Sequence, residues 1–559
     1  MSVESKLVLV AEEVAERVVT KEAIRQAIIA KGTNVPAGTA LLDYPAKIGE
    51  IITGIPESII NPILDGINGE VVAGNYVARS DAISASKEAV RLAIIAKGIA
   101  VPVETELDDY PAKIAAITAP EQPIVFACDA VKTICANLWG SGGEITPTQA
   151  AAVTSAQFAE TFRGLTTINS FSELYYFTGL TSIPANAFRD CTRLSGRCVI
   201  PSSVVTIGAY AFAGCKFTGA LTFPASVTTI NDHAFYQCTG FYSLVIPNTV
   251  TTLASGGYQF AGWYVGSTPI GTLTIGTGIT AIPQYCFYTS LFTGTLTIPA
   301  NVVTIGAYAF AGCKFTGTLT LQAGLTSIGF SAFSQVIGFT GNLVIPNSVT
   351  TWIGGGNQFQ GCTGMTGTLT LGTGITTIPA YCFDGCKFTG TLTIPASVTI
   401  IGADAFQNCT GFTGTLTIPA SVTTINDSAF YGCTGFTGNL VIPNTVTTLE
   451  GNGYQFGGCT GMTGTLTLGT GITTIPHDCF YGCKFTGTLT IPANVITIGN
   501  NAFKNITTFA SITDESMTPP TLGTTVFSGA FYFYVYYLTV NNYKASTNWS
   551  AYSARIFGY

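Results

Sequence analysis

Sixteen cysteines stand in this chain of 559 residues. Ten of them share one setting, three positions after a phenylalanine: Cys191, Cys215, Cys238, Cys313, Cys362, Cys386, Cys409, Cys433, Cys459 and Cys483. A thiol placed so regularly could ligate zinc, pair in disulfides or act as a nucleophile. The same slot, however, holds Trp263, Ser290, Val336 and Ile506 in four further copies of the pattern. A metal ligand or a disulfide partner does not exchange for Val, Ile or Trp, whereas a buried packing position does, because a free Cys behaves as a small hydrophobe. The nearest local pair, Cys382 and Cys386, combines two different slots of the repeat and lacks the close spacing of zinc ligands. The cysteines are therefore expected to be buried thiols, and no cofactor or metal is assigned to them.

Other chemistries find little to work with. The two histidines fall in tolerant slots: His233 stands where sibling copies have Ser331 and Ser428, and His477 where they have Gln284 and Ala380. Both are expected to be solvated, and no catalytic set is proposed, so the chain is expected not to be an enzyme. Gly-rich text such as "GTGITTIP" lacks the lysine and fixed spacing of a phosphate loop. Charged residues make up 9% of the chain and the formal net charge is -7, so there is no basic surface to neutralise nucleic-acid phosphates.

The column two residues before each phenylalanine is different. It reads Asn186, Tyr210, His233, Tyr258, Tyr285, Tyr308, Ser331, Asn357, Tyr381, Asp404, Ser428, Tyr454, Asp478 and Asn501, with no aliphatic member. It is expected to face water, and its six tyrosines, Tyr210, Tyr258, Tyr285, Tyr308, Tyr381 and Tyr454, are the candidate surface-binding residues. Tyrosines interleaved with Asn, Ser and Asp offer apolar faces and hydrogen-bonding tips, a mixture suited to adaptable recognition of proteins and sugars. A solvated rim in which Tyr covers its neighbours is the alternative. Trp352 shares its slot with Leu253 and Leu449 and is expected in the core.

These columns exist because the chain repeats. Fourteen phenylalanines, from Phe188 to Phe503, recur at intervals of 23 to 27 residues, which is the signature of a solenoid. The residue before each cycles through Ala, Ala, Gln and Cys, as in Ala309, Ala332, Gln358 and Cys382, so the array grew by duplicating blocks of four units. Within one unit, "TLTIPASVTIIGADAFQNCTGF", Leu392 and Ile394 alternate with Thr391 and Thr393 at the period of a half-buried strand. Pro395 ends that strand. Val398, Ile401, Ala405, Phe406, Cys409 and Phe412 then supply the apolar edge of the returning turn. The pattern resembles the BspA-type bacterial leucine-rich repeats over residues 165 to 510, and that resemblance implies a mainly β leucine-rich-repeat solenoid, right-handed, of about 14 units.

The flanks are read in the same way. Residues 21 to 51, "KEAIRQAIIAKGTNVPAGTALLDYPAKIGEI", return 66 positions later as "KEAVRLAIIAKGIAVPVETELDDYPAKIAAI", a duplicated module predicted to be a small helical hairpin. It resembles modules of bacteriophage tail and fibre proteins. The segment Val131 to Phe158 resembles the lead-in of Bacteroides-type repeat proteins, and Tyr543 to Tyr559 the segment that closes such arrays. Relatives of the lead-in often carry a calcium loop, but aligned on Gly143 and Glu144 its ligating places hold Leu138, Gly140, Gly142 and Gln149. The required carboxylates are missing, so the loop is expected to be structural.

The expected organisation is 1-52 helical module, 53-86 connector, 87-118 second module, 119-164 lead-in cap, 165-510 solenoid and 511-559 C-terminal cap. The N-terminus, "MSVESKLVLVAEEVAERVV", has acids in every apolar run and lacks the form of a secretory signal. No stretch of 18 consecutive apolar residues suggests membrane insertion. Taken with the phage resemblance, these features predict a virion protein, a tail fibre or receptor-binding protein. Residues 1-118 would join other virion proteins, and the solenoid would recognise a bacterial surface glycan or protein receptor, with a homo-oligomer as a further expected assembly. The runner-up expectation is an extracellular bacterial adhesin.

Overall fold

The structure is a computed structural model that describes residues 121-263 and 270-559. The duplicated modules expected in 1-52 and 87-118 lie outside the described residues. The chain divides into two compact units, one containing residues up to Phe158 with 166-181 and 198-204, the other containing the rest.

In the described part of the first unit, helix Asp129–Trp139 packs beside two short helices, Pro147–Ala151 and Ser155–Phe158, and a 3-10 turn Ser172–Tyr176. Thr146 caps the second helix through a reciprocal capping box with Gln149. The core here is aromatic: Trp139 stacks on Phe158 at 5.6 Å, and Phe177 meets both edge-on. The loop aligned with calcium sites is closed by a bridge between Ser141 and Glu144, with Gly142 and Gly143 both at positive φ. Its acidic side chain is already engaged, since Lys132 Nζ donates to Glu144 Oε1 at 2.7 Å.

The second unit is mainly β, a parallel solenoid in which each turn contributes two short strands and one hydrogen-bonded corner. The first strand set follows the Leu-x-Ile pattern, for example Leu296–Ile298 against Leu319–Leu321, and places Thr297 beside Thr320 in register. Along such a strand Leu296 and Ile298 are buried while Thr297 is exposed, the alternation that Leu and Thr spacing anticipates. Pro299 and its siblings then break the strand. The second set is a Thr-Ile pair, such as Thr377–Ile378, Ile400–Ile401 and Thr424–Ile425, again parallel and in register. At the corner the backbone still forms a ladder: the N–H groups of Tyr210, Phe212 and Gly214 donate to the carbonyls of Asp232, Ala234 and Tyr236 one turn later.

The core of the solenoid is a column of phenylalanine rings. It runs through the fourteen residues expected and continues at both ends, to Phe162 and Phe527, for sixteen rings in all. Successive centroids lie 5.1–5.7 Å apart with interplanar angles of 3–20°. Every ring therefore covers the next, and each is worth roughly 2 kcal/mol of apolar burial. Past Phe527 the first strand set goes on through Phe533–Val535 to Ile556–Gly558. There Trp549 and Tyr543 are fully buried, with Trp549 Nε1 donating to the Pro520 carbonyl at 2.8 Å.

Two expectations are corrected. Trp352 is half-buried, between exposed neighbours on strand Thr351–Ile353, and its Nε1 donates to the Thr377 carbonyl at 2.9 Å. The indole is larger than the space that Leu253 and Leu449 fill, so it leans across the next turn instead of entering the core. His233 is also not freely solvated, as its ring is held between two tyrosines.

Candidate functional site

All sixteen cysteines are buried thiols outside any disulfide. The ten in the repeated slot do more than fill space: each Sγ–H donates to the carbonyl of the phenylalanine one turn earlier, at 2.8–3.2 Å. Two of the exceptions found by sequence comparison preserve the bond. Trp263 Nε1 donates to the Phe235 carbonyl at 2.7 Å, and Ser290 Oγ to the Phe260 carbonyl at 2.6 Å. Only Val336 and Ile506 forgo it. The slot is thus a donor position as well as a packing position, which apolar exchange alone conceals. Burial pushes nine of the ten thiols up, Cys362 to about 12 and Cys409 further, so these stay protonated and unreactive near neutrality.

The glutamines of the four-unit cycle also have a local task. Gln259, Gln358 and Gln455 are fully buried, and their Nε2 groups donate to Ala254, Gly355 and Glu450 carbonyls at 2.7–2.8 Å. They close the longer, Gly-rich corner that each block carries once.

The column two residues before each phenylalanine has a feature the sequence hid: all fourteen residues sit at φ between 52° and 67°. Left-handed backbone strongly disfavours β-branched side chains, so the lack of Val and Ile there does not require exposure to water. Ser331 and Asp478 are in fact buried, at 4% and 6% exposure. The tyrosines are half-buried except Tyr381, which is 38% exposed.

A second left-handed column lies two residues after each phenylalanine, and the two differ in occupancy. Eight of its fourteen places are Gly: Gly214, Gly262, Gly312, Gly361, Gly385, Gly432, Gly458 and Gly482. Gly is the low-strain choice for such backbone, yet the tyrosine column never uses it. There, a side chain is retained in every turn at a backbone cost of about 1–2 kcal/mol each.

The tyrosines repay part of that cost by stacking. Tyr210, His233, Tyr258, Tyr285 and Tyr308 form one continuous pile with centroids 4.4, 4.7, 4.5 and 4.9 Å apart and planes within 15°. Offset aromatic pairs contribute roughly 0.5–1.5 kcal/mol each. The Arg189 guanidinium lies 4.5 Å over the outer face of Tyr210, and Phe330 closes the other end edge-on to Tyr308. Burial in the pile lowers the His233 pKa, keeping the ring neutral. Tyr381 and Tyr454 stand outside this pile. Tyr381 bonds to Asp404, which raises its pKa, and Tyr454 lies edge-on to Tyr431 and His477, each at 5.5 Å. His477 Nδ1 in turn lies 2.9 Å from the Asp478 carboxylate. The six candidates therefore split into a stack of four and two separate members, with His233 joining the stack unannounced.

Stacked Phe rings, two parallel strand sets and a left-handed corner define a leucine-rich-repeat solenoid. The chain belongs to the BspA type leucine rich repeat family, whose profile matches residues 160–290, 280–413 and 412–532. Similar solved structures include a leucine-rich repeat protein from Bacteroides ovatus, 19% identical over 58% of this chain and 77% of that one, with a TM-score of 0.37. Another is a leucine rich cell surface protein from Faecalibacterium prausnitzii, 20% identical over 53% and 81%, TM-score 0.32. A third is the pneumococcal vaccine antigen PcpA, 15% identical over 65% and 87%, TM-score 0.33. No curated protein matches the chain. Among the described residues, no helix is long and apolar enough to cross a membrane.

Proposed function

We propose that this protein is a non-enzymatic surface-recognition protein, an adhesin whose solenoid carries its binding residues along the left-handed tyrosine column. The observation that carries the reading is the contrast between two columns of equal backbone conformation, one filled largely by Gly and the other never. Side chains kept at a conformational cost, half-exposed and rigidly stacked, lose little entropy on binding. Family membership is consistent with such a scaffold, and the chemistry of the buried thiols offers no competing activity.

The test is adhesion. Fluorescently labelled protein is applied to a panel of bacterial and epithelial cells, alongside the variant Tyr258→Ser, Tyr285→Ser, Tyr308→Ser. Bound protein should fall at least tenfold in the variant, while melting changes by only a few degrees. Equal adhesion of the two proteins, or adhesion to no cell tested, removes the proposal.

The duplicated segment at residues 21-51 and 87-117 favours a second reading, a phage tail fibre in which residues 1-118 join the particle and the same column contacts a bacterial receptor. Mass spectrometry of purified particles from a producing culture decides between the two: the chain among particle proteins supports the fibre, and its recovery on cell envelopes supports the adhesin.

A further inference from the structure

The position directly after the core phenylalanine is tyrosine in four turns, at Tyr236, Tyr288, Tyr431 and Tyr481. Tyr236 and Tyr288 flank Tyr258 from the turns before and after it, and between them the same position is Ala261. Tyr236 stands at 73° to His233 and 88° to Tyr258, at 5.3 and 5.9 Å. Tyr288 stands at 86° to Tyr285 and 84° to Tyr308, at 5.5 and 6.2 Å. The stack's planes lie across the solenoid axis, so these two perpendicular rings have planes that run along it. Both are half-buried, while Ala261 is 1% exposed.

The arrangement recurs eight turns later. Tyr431 and Tyr481 flank Tyr454, and the position between them is Gly457. Tyr431 is perpendicular to Tyr454, at 90° and 5.5 Å, and Tyr481 takes the place in the following turn that Tyr288 takes after Tyr258. A Cβ on Gly457 would come within 3.1 Å of the Tyr454 ring and 3.3 Å of the Tyr431 ring, so the missing side chain keeps the space between these rings open. In the intervening block the corresponding residues are Ser334, Gln360 and Asp384 around Asn357. Three of these four bond in a chain instead, Asn357 Nδ2 to Gln360 Oε1 at 2.7 Å and Gln360 Nε2 to Asp384 Oδ2 at 3.1 Å.

We infer that Tyr236, Tyr258 and Tyr288, and again Tyr431, Tyr454 and Tyr481, form two equivalent subsites for an extended neutral β-linked polysaccharide lying along the solenoid. This rests on the adhesin reading and names its ligand class. The two outer rings of each subsite are two turns, about 10 Å, apart. That is the spacing of alternate pyranose rings in an extended β-linked glycan, whose apolar C–H faces pack on aromatic faces. Phenol groups bordering the small Ala or Gly provide hydroxyl contacts to the sugar between. No Lys or Arg belongs to either triad, so anionic polymers gain nothing there. The two subsites lie about 40 Å apart along one face, so a long chain can engage both.

The test uses the full chain and calorimetric titration with cellohexaose, chitohexaose, xylohexaose and mannohexaose, with polygalacturonate oligomers as the anionic arm. One or more neutral hexasaccharides should bind with two sites per chain. Tyr236→Ala with Tyr288→Ala should reduce this to one site, Tyr431→Ala with Tyr481→Ala added should abolish binding, and the corresponding Phe variants should retain it within about threefold. Binding of no neutral hexasaccharide, preference for the anionic arm, or unchanged stoichiometry in the Ala variants overturns the inference. Cell adhesion measured on the same variants separates the two levels. Adhesion that persists without glycan binding points to a protein receptor and leaves the adhesin reading standing, whereas adhesion indifferent to the stack variant fails the reading itself.

Discussion

At the residue scale, the repeated Cys is a hydrogen-bond donor inside a hydrophobic slot, and this makes two outcomes measurable. None of the sixteen thiols should react with a disulfide reagent in the native protein at pH 8, since all are buried away from the reagent and burial suppresses the ionisation of repeat thiols such as Cys362 and Cys409. All should react after denaturation. At Val336 the Phe310 carbonyl lacks the side-chain donor that other turns supply. Val336→Cys should therefore stabilise its part of the array by up to about 1 kcal/mol, and Cys409→Val should cost a similar amount. Equal stabilities of the two variants and the parent would show that packing alone governs the slot. The burial of this column was legible from its tolerance of Val and Ile. The bond was not, because its acceptor is a main-chain carbonyl one turn away, which leaves no trace in side-chain identity. The tyrosine column misled for a related reason: backbone handedness and exposure to water disfavour the same Val and Ile side chains, and only the backbone conformation separates the two causes.

At the element scale, the solenoid turn was largely readable because Leu-x-Ile alternation, the following Pro and the recurrent Phe each constrain one segment. The second strand set, two or three residues long, carries no alternation to detect, and the sixteenth ring, Phe527, sits in text that departs from the repeat. That terminal region contains an unusual group. Asp514 ends strand Phe509–Asp514 at 1% exposure, with Oδ1 accepting the Ser516 N–H at 3.0 Å. Its Oδ2 is buried without a partner among the described residues. Burial raises its pKa to about 6, although the bond from the Ser516 N–H opposes the rise. Since the folded pKa exceeds that of an unfolded carboxyl, the native state takes up the proton first, and stability rises as pH falls from above 6 towards 4. The melting temperature of this region should accordingly be higher at pH 5 than at pH 7.5. Asp514→Asn should flatten the difference and stabilise the protein at pH 7.5. An undiminished pH slope in that variant would place its origin elsewhere.

At the scale of the whole molecule, stability is distributed: each turn contacts its neighbours through one Phe pair, two strand pairings and a corner ladder, so the array behaves as a sum of similar steps. Phe333 and Phe430 occupy the same place in successive four-unit blocks, each preceded by Ala and stacked at 5.2–5.5 Å on the rings around it. Joining Phe333 directly to Tyr431, by deletion of residues 334-430, keeps the order of corner types intact and brings Ala332 and Phe333 against the turn that follows Phe430. The shortened chain should fold with the same circular dichroism per residue and a modestly lower melting temperature. Loss of cooperative unfolding would mean that the middle block holds the flanking ones in place. The same deletion moves the two tyrosine triads from eight turns apart to four without touching either. Hexasaccharide affinity and stoichiometry should then stay as in the parent, whereas avidity for a long polysaccharide should change, because the span between the sites sets the effective concentration of the second contact. A change in hexasaccharide affinity would instead show that the triads depend on the block between them.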